Sequence, residues 1–273
     1  ALPIYLLESY PNSEYKDEAK TMKSDLLIKT NQYIAAYNSL LGVKDKDAAY
    51  WQVRQKVMYG FAMMQMQKGD MQFADSLLSM SLQRSSDEKY EQAANFWKSE
   101  LAYKTRRFED AIAYGEKYVS RAAIRNKAEV LAQNATLQNA YTTMGYAAME
   151  LQRFDVAQQY FSTAQMKATD AGSTMDAVLR EADAVFMQKG YMKAIALYDK
   201  VIAAKGEDAD YAKYQKGIVL GVIGKRADKA TLMQSLMNAK PASKYANEAR
   251  YELALVQIEE DKYQAAVGTL APL

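Results

Sequence analysis

Small and aromatic residues recur at fixed spacings along this chain. In AYTTMGYAAMELQRFDVAQQYFSTAQ, Ala140 to Gln165, Gly145 lies nine residues before Phe154. Ala157 follows Phe154 by three, Phe161 follows by four more, and Ala164 by another three. Steps of three and four place these side chains on one face of a helix. The stretch therefore predicts two helices joined by a short turn at Gln152–Arg153.

The same frame recurs along the chain. The Ala of each predicted second helix falls at Ala36, Ala74, Ala111, Ala157, Ala194, Ala230 and Ala266. The steps run from 36 to 38 residues, apart from one of 46 between Ala111 and Ala157. Three residues before each Ala stand Tyr33, Met71, Phe108, Phe154, Tyr191, Ala227 and Tyr263. Twelve before stand Ser24, Ala62, Ser99, Gly145, Ala182, Ile218 and Ala254. Only the sixth set departs. There Gly217 and Gly224 keep the spacing, which predicts one extra residue in the turn Lys225–Lys229. The packing logic is simple: two helices approach closely only where a small residue on each removes bulk at the crossing. The turns read Gly69–Asp70, Arg106–Arg107, Gln152–Arg153, Lys189–Gly190 and Glu260–Asp261, with Gly expected as a left-handed cap. The long step places about ten extra residues around Arg121–Asn134, RAAIRNKAEVLAQN. With no Pro or Gly they predict inserted or lengthened helices.

This small–aromatic–Ala–aromatic–Ala spacing resembles the tetratricopeptide repeat. The resemblance implies an all-α fold, a right-handed α–α superhelix of about seven helix pairs spanning residues 1–273 as a single solenoid. Ala1–Tyr10 reads as a second helix without its first, and the last residues as the start of another second helix. Half-repeats at both ends predict a fragment of a longer repeat protein, with self-association through uncapped ends. The phrases YPNSEYKDEA at Tyr10–Ala19 and KPASKYANEARYELA at Lys240–Ala254 resemble linkers of bacterial cell-envelope tetratricopeptide proteins. A periplasmic or outer-membrane-associated location is expected from them, with a cytoplasmic one as the alternative.

Composition narrows the chemistry. Hydrophobic residues make up 49 % of the chain, enough for a sizeable core, and the 12 Gly and 4 Pro are sparse punctuation for a β fold. The formal charge of +2 balances 35 basic against 33 acidic residues, so no nucleic-acid partner is expected. No apolar run reaches the ~18 residues of a membrane helix, so no membrane insertion is expected in this segment. Cys and His are absent. That removes thiolate chemistry, disulfides and the commonest general base and metal ligand. No phosphate-binding or nucleophile motif occurs, so no catalytic residue, metal or cofactor is expected, and the chain does not read as an enzyme.

The resemblance implies a ligand groove lined by first helices. In the repeat frame its residues are Tyr59, Met63 and Met66, then Phe96, Glu100 and Tyr103. Thr142, Tyr146 and Met149 follow, and then Leu179, Asp183 and Phe186. Aromatic and Met side chains suit the apolar side chains of a bound peptide. The expected function is a scaffold binding a protein or peptide partner; the alternative is a structural spacer with no ligand in this segment. Where some tetratricopeptide proteins place an Asn to clamp a partner's C-terminal carboxylate, this chain has Gly60, Lys98 and Thr143. Such a clamp is not expected.

Overall fold

The computed structural model describes residues 2–272, which contain 15 α-helices, one 3-10 turn and no strand. The chain divides into two compact units, Ala1–Met144 and Gly145–Leu273. The first holds α1 (Leu2–Ser9), α2 (Lys16–Ile28), α3 (Tyr33–Leu40), α4 (Ala48–Lys68), α5 (Met71–Leu82), α6 (Glu88–Lys104), α7 (Phe108–Ala122) and the 3-10 turn Ala128–Val130. The division falls inside α8 (Leu137–Glu150). The second unit continues with α9 (Phe154–Lys167), α10 (Ala171–Met187), α11 (Tyr191–Ala204), α12 (Ala209–Val222), α13 (Arg226–Met237), α14 (Ala246–Glu259) and α15 (Tyr263–Leu270). After α1 the helices form pairs, each even-numbered helix with the odd-numbered one that follows.

One turn geometry joins every pair. The residue two before each second helix has positive φ: Asn31, Gly69, Arg106, Gln152, Lys189, Gly224 and Asp261. The next N–H then reaches back to a carbonyl five residues earlier. Arg153 N–H bonds to Ala148 C=O at 2.9 Å, Arg107 to Ala102 at 2.8 Å and Lys262 to Gln257 at 2.8 Å. This double-bonded helix end satisfies carbonyls that would otherwise lack partners. Gly69 is the left-handed cap its position predicts. At Lys189–Gly190 the roles are reversed. Lys189 is left-handed at φ 62, while Gly190 is small because a Cβ there would lie 2.8 Å from Val185 Cγ1. A side chain in the left-handed region costs ~1–2 kcal/mol, partly offset in glycine by unfolded-chain entropy. Gln152→Gly is therefore expected to raise stability by about 0.5–1 kcal/mol, read as a higher denaturation midpoint. An unchanged or lower midpoint would contradict this account of the turn.

The small-residue crossings are buried. Ser24, Ala62, Ser99, Ala182 and Ala254 pack on their first helices, and Ala36, Ala74, Ala111, Ala157, Ala194 and Ala266 on their second helices. In two pairs the serine also bonds across the crossing. Ser24 donates to Ala36 C=O at 2.8 Å and Ser99 to Ala111 C=O at 2.7 Å. At Gly145 even a Cβ would sit 2.6 Å from the Phe161 ring.

The sixth pair corrects the predicted frame. α13 starts at Arg226, two residues after left-handed Gly224, so its turn carries no extra residue. The crossing position is Lys229, not Ala230, and the small residue twelve before it is Gly217, not Ile218. Lys229 is 9 % exposed and fits because Gly221 leaves room; a Cβ there would meet its Cδ at 3.0 Å. The Lys229 ammonium pairs with Glu252 at 2.6 Å.

The segment Arg121–Asn134 also departs from expectation. Instead of added or lengthened helix, α7 stops at Ala122, and the chain runs through the 3-10 turn to α8. Side-chain bonds outcompete helix propensity here. Tyr118, fully buried, donates to Ala135 C=O, and Asn126 Nδ2 donates to Tyr118 Oη and Ala135 C=O, both at 2.6 Å. Gln92 Oε1 accepts Lys127 N–H at 2.9 Å, and Lys127 pairs with Glu88. Gln55 does the same one repeat earlier, accepting Ser86 and Asp87 N–H at 3.0 and 2.8 Å. The two linker phrases also share one turn: Ser13 accepts Tyr15 N–H and Ser243 accepts Tyr245 N–H, each at 3.2 Å.

Candidate functional site

In the first unit α4 and α6 turn Tyr59, Met63, Phe96 and Glu100 to different fates. Tyr59 is buried, accepts the Trp97 indole N–H at 3.2 Å, and meets Tyr90 edge-on at 5.4 Å. Burial pushes its hydroxyl pKa up to about 12, against the opposing bond from Trp97. Beside it lies a cavity of about 460 Å³ lined by Tyr33, Lys56, Met63, Met64 and Tyr90, with Leu131 of the inserted loop at one side. Met66 is half-buried. Phe96 does not line a groove. It is 2 % exposed and packs against Trp97 and Tyr118, the residue that anchors the inserted loop. Glu100 is half-buried and accepts the Thr143 hydroxyl; burial raises its pKa above the usual carboxylate value. Tyr103 is half-buried, its ring 6.0 Å from Phe108.

In the second unit Leu179 is fully buried, so it too is core rather than lining. Met149 is half-buried. Phe186 packs 6.2 Å from Tyr191, and Tyr146 meets Phe161 edge-on at 5.4 Å. Tyr146 and Asp183 belong to a network centred on Arg180. The guanidinium lies 5.8 Å from the Tyr146 ring and 5.5 Å from the Tyr211 ring. It pairs with Asp183 at 3.1 Å and Asp176 at 3.5 Å. Asp183 accepts the Tyr198 hydroxyl at 2.7 Å and the Tyr211 hydroxyl at 3.3 Å. Burial opposes the Arg180 charge, yet Tyr146, Asp183 and Asp176 outweigh it and hold the group charged. Burial raises the Asp183 and Asp176 pKa values, against the pull of Arg180. Burial likewise pushes the Tyr211 hydroxyl up to about 12. Next to Tyr211, Tyr214 stacks on Tyr245 at 5.7 Å.

Arg180, Tyr198 and Tyr211 were not among the residues the repeat frame selects. One signal was legible: Asp176, Arg180 and Asp183 stand at i, i+4 and i+7, where opposite charges share a helix face. The aromatic and hydroxyl partners come from three other helices, and nothing local announces them. The arrangement pairs one guanidinium with two carboxylates and engages Asp183 with two tyrosine hydroxyls. Among the described residues no three Asp or Glu gather as metal ligands, and no helix is long and apolar enough to cross a membrane.

The sequence profile of the tetratricopeptide repeat matches residues 142–209. No curated protein sequence matches the chain. Solved structures do. The C-terminal part of a repeat-containing protein from Cytophaga hutchinsonii is 17 % identical, with TM-score 0.61, covering 93 % of this chain and 95 % of its own. The apo form of RapI is 11 % identical at TM-score 0.61, covering 93 % and 74 %. MamA from Desulfovibrio magneticus is 15 % identical at TM-score 0.54, covering 67 % and 92 %. At these identities the likeness is one of fold. Residues 142–209 belong to the tetratricopeptide repeat family, and the all-helical chain around them is built from helix pairs of the same kind.

Proposed function

We propose that this chain is a protein–protein interaction scaffold that holds an apolar side chain of a peptide or protein partner on its first-helix face. The observation that carries the reading is the cavity beside Tyr59. Its Met63, Met64 and Tyr90 walls are adaptable apolar surface, and Lys56 and Gln67 supply polar groups at the same site. Tetratricopeptide proteins generally act as non-enzymatic scaffolds, and the absence of Cys and His fits that role. The linker phrases at Tyr10–Ala19 and Lys240–Ala254 support a cell-envelope location, which cell fractionation with an antibody to the chain would test.

Crosslinking followed by pull-down with the wild-type chain is the direct experiment. Met63→Glu places a charge in the cavity wall and is expected to lose the captured partner while helicity stays unchanged. Capture of the same partner at the same yield by Met63→Glu would overturn the cavity as the site. A spacer role is the second reading. It is favoured by the internal commitment of Asp183, Glu100 and Phe96, which leaves much of the expected groove already paired. Failure to capture any specific partner would favour it.

A further inference from the structure

A second cleft, distinct from the first-helix cavity in its lining, lies between the C-terminal end of α5 and the middle of α7. It has a volume of about 660 Å³ and is lined by Met80, Leu82, Tyr114, Lys117, Arg54 and Glu91, among others. Its floor comes from the start of α6. The repeat frame assigns no ligand here: none of the groove residues it selects lines this cleft, whose walls come mostly from the second helices α5 and α7.

The charge around it is one-sided. Arg54 is held in place by Met80 C=O at 2.7 Å and Gln83 at 2.9 Å, and its guanidinium lies 5.4 Å from the Trp51 ring. Arg84 takes another approach to that ring, at 5.2 Å. Lys117 stands 4.9 Å from the Tyr114 ring, with its side chain exposed. The carboxylate lining the cleft, Glu91, is already engaged by Arg121 at 3.2 Å and by the Ser85 hydroxyl at 2.7 Å. The cations are thus positioned by neutral partners and rings, while the nearby negative charge is spent.

The apolar surface is also organised. Met80 is 36 % exposed at the wall. Beyond Arg121 the chain turns into the inserted loop, where Ile124 is 89 % exposed and Val130 78 % exposed. The loop is anchored through Tyr118, Asn126 and Gln92, so Ile124 and its exposed neighbour Arg125 are presented on an ordered support. Ordered apolar side chains rimmed by cations are what an acidic segment with apolar anchors would meet with matching charge.

We propose that the α5–α7 cleft, together with the Ile124 corner, is a docking surface for an acidic peptide segment of a partner protein, one that alternates carboxylates with aliphatic side chains. The cleft shares α4 and α6 with the first-helix cavity but none of its lining residues.

The test uses the full chain and a fluorescein-labelled peptide of alternating Glu and Leu, followed by anisotropy. Binding is expected in low salt and weakens on going to about 0.3 M salt, where exposed charges are screened. Lys117→Glu and Ile124→Asp are each expected to weaken it by about tenfold or more, with helicity unchanged. Met63→Glu, in the first-helix cavity, leaves it unaltered, so failure here and failure of the cavity reading are distinguishable. The proposal is overturned by absence of wild-type binding, by binding indifferent to Lys117→Glu, or by loss on Met63→Glu. Equal affinity for a single-stranded oligonucleotide of the same charge would also overturn it, by reducing the surface to unspecific anion attraction.

Discussion

Arg180→Met is expected to cost about 3 kcal/mol at neutral pH, the low end of the range for breaking a buried ion pair. The low end applies because the Arg180 and Asp183 side chains retain 27 % and 17 % exposure. Methionine fills much of the space but leaves Asp176 and Asp183 charged between tyrosines with no cation. The dependence on pH separates this from lost packing. Burial already raises the Asp183 pKa, so the folded protein holds that proton more tightly than the unfolded chain does. Stability linked to this group is therefore full at low pH and lost as pH rises through the raised value. Removing Arg180 raises it further. The deficit of Arg180→Met is thus larger at a pH well above the raised value than at a pH below it. Paired denaturant titrations at the two pH values, with hydrogen exchange on α10 to localise the loss, read it directly. A deficit that does not change with pH would mean the network contributes only shape.

Gly145→Leu is expected to lower stability by about 2 kcal/mol, with overpacking outweighing the helix propensity that leucine gains over glycine. The physical reason is the rigidity of the neighbour. A Cβ at Gly145 would lie within 2.6–2.8 Å of three ring atoms of Phe161, which is itself fully buried. At Gly217 the nearest atom is the Met233 methyl, the far end of a flexible side chain, so the same change there is tolerated better. Combining Gly145→Leu with Phe161→Leu should restore part of the loss. A melting curve unmoved by Gly145→Leu would remove Gly145 from the crossing.

The pairing of helices was legible because crossings demand small residues, and small residues at a fixed step survive in a sequence. Ser24 with Ala36, and Gly145 with Ala157, could be read directly. The sixth pair was misread for an instructive reason. Ala230 stands beside the true crossing residue, and a lysine could not be recognised as filling a small slot without seeing Gly221 make room. The inserted loop differs because RAAIRNKAEVLAQN contains good helix formers, while the bonds that unwind it tie flanking Tyr118 and Ala135 to Asn126 and bring in Gln92 from a helix some 35 residues earlier. Of the expected groove, Phe96 and Leu179 proved to be core. An amphipathic pattern marks a face as apolar but does not say whether a loop or a neighbouring helix covers it. The cations at Arg54 and Lys117 were invisible for the converse reason: they converge from separate helices, and a balanced net charge conceals a local excess.

The seven turns have a further consequence for how such a chain can be recognised. Each closes through its own main chain, and the left-handed residue is variously Asn, Gly, Arg, Gln, Lys or Asp. No particular letter is required there, so the turn is marked by its spacing and not by its own residue. With turns unspelled and one crossing filled by lysine, a helix pair can lose its textual hallmarks and still stack. The sequence profile matches residues 142–209, while the architecture runs on through pairs whose spacing persists with fewer conventional letters.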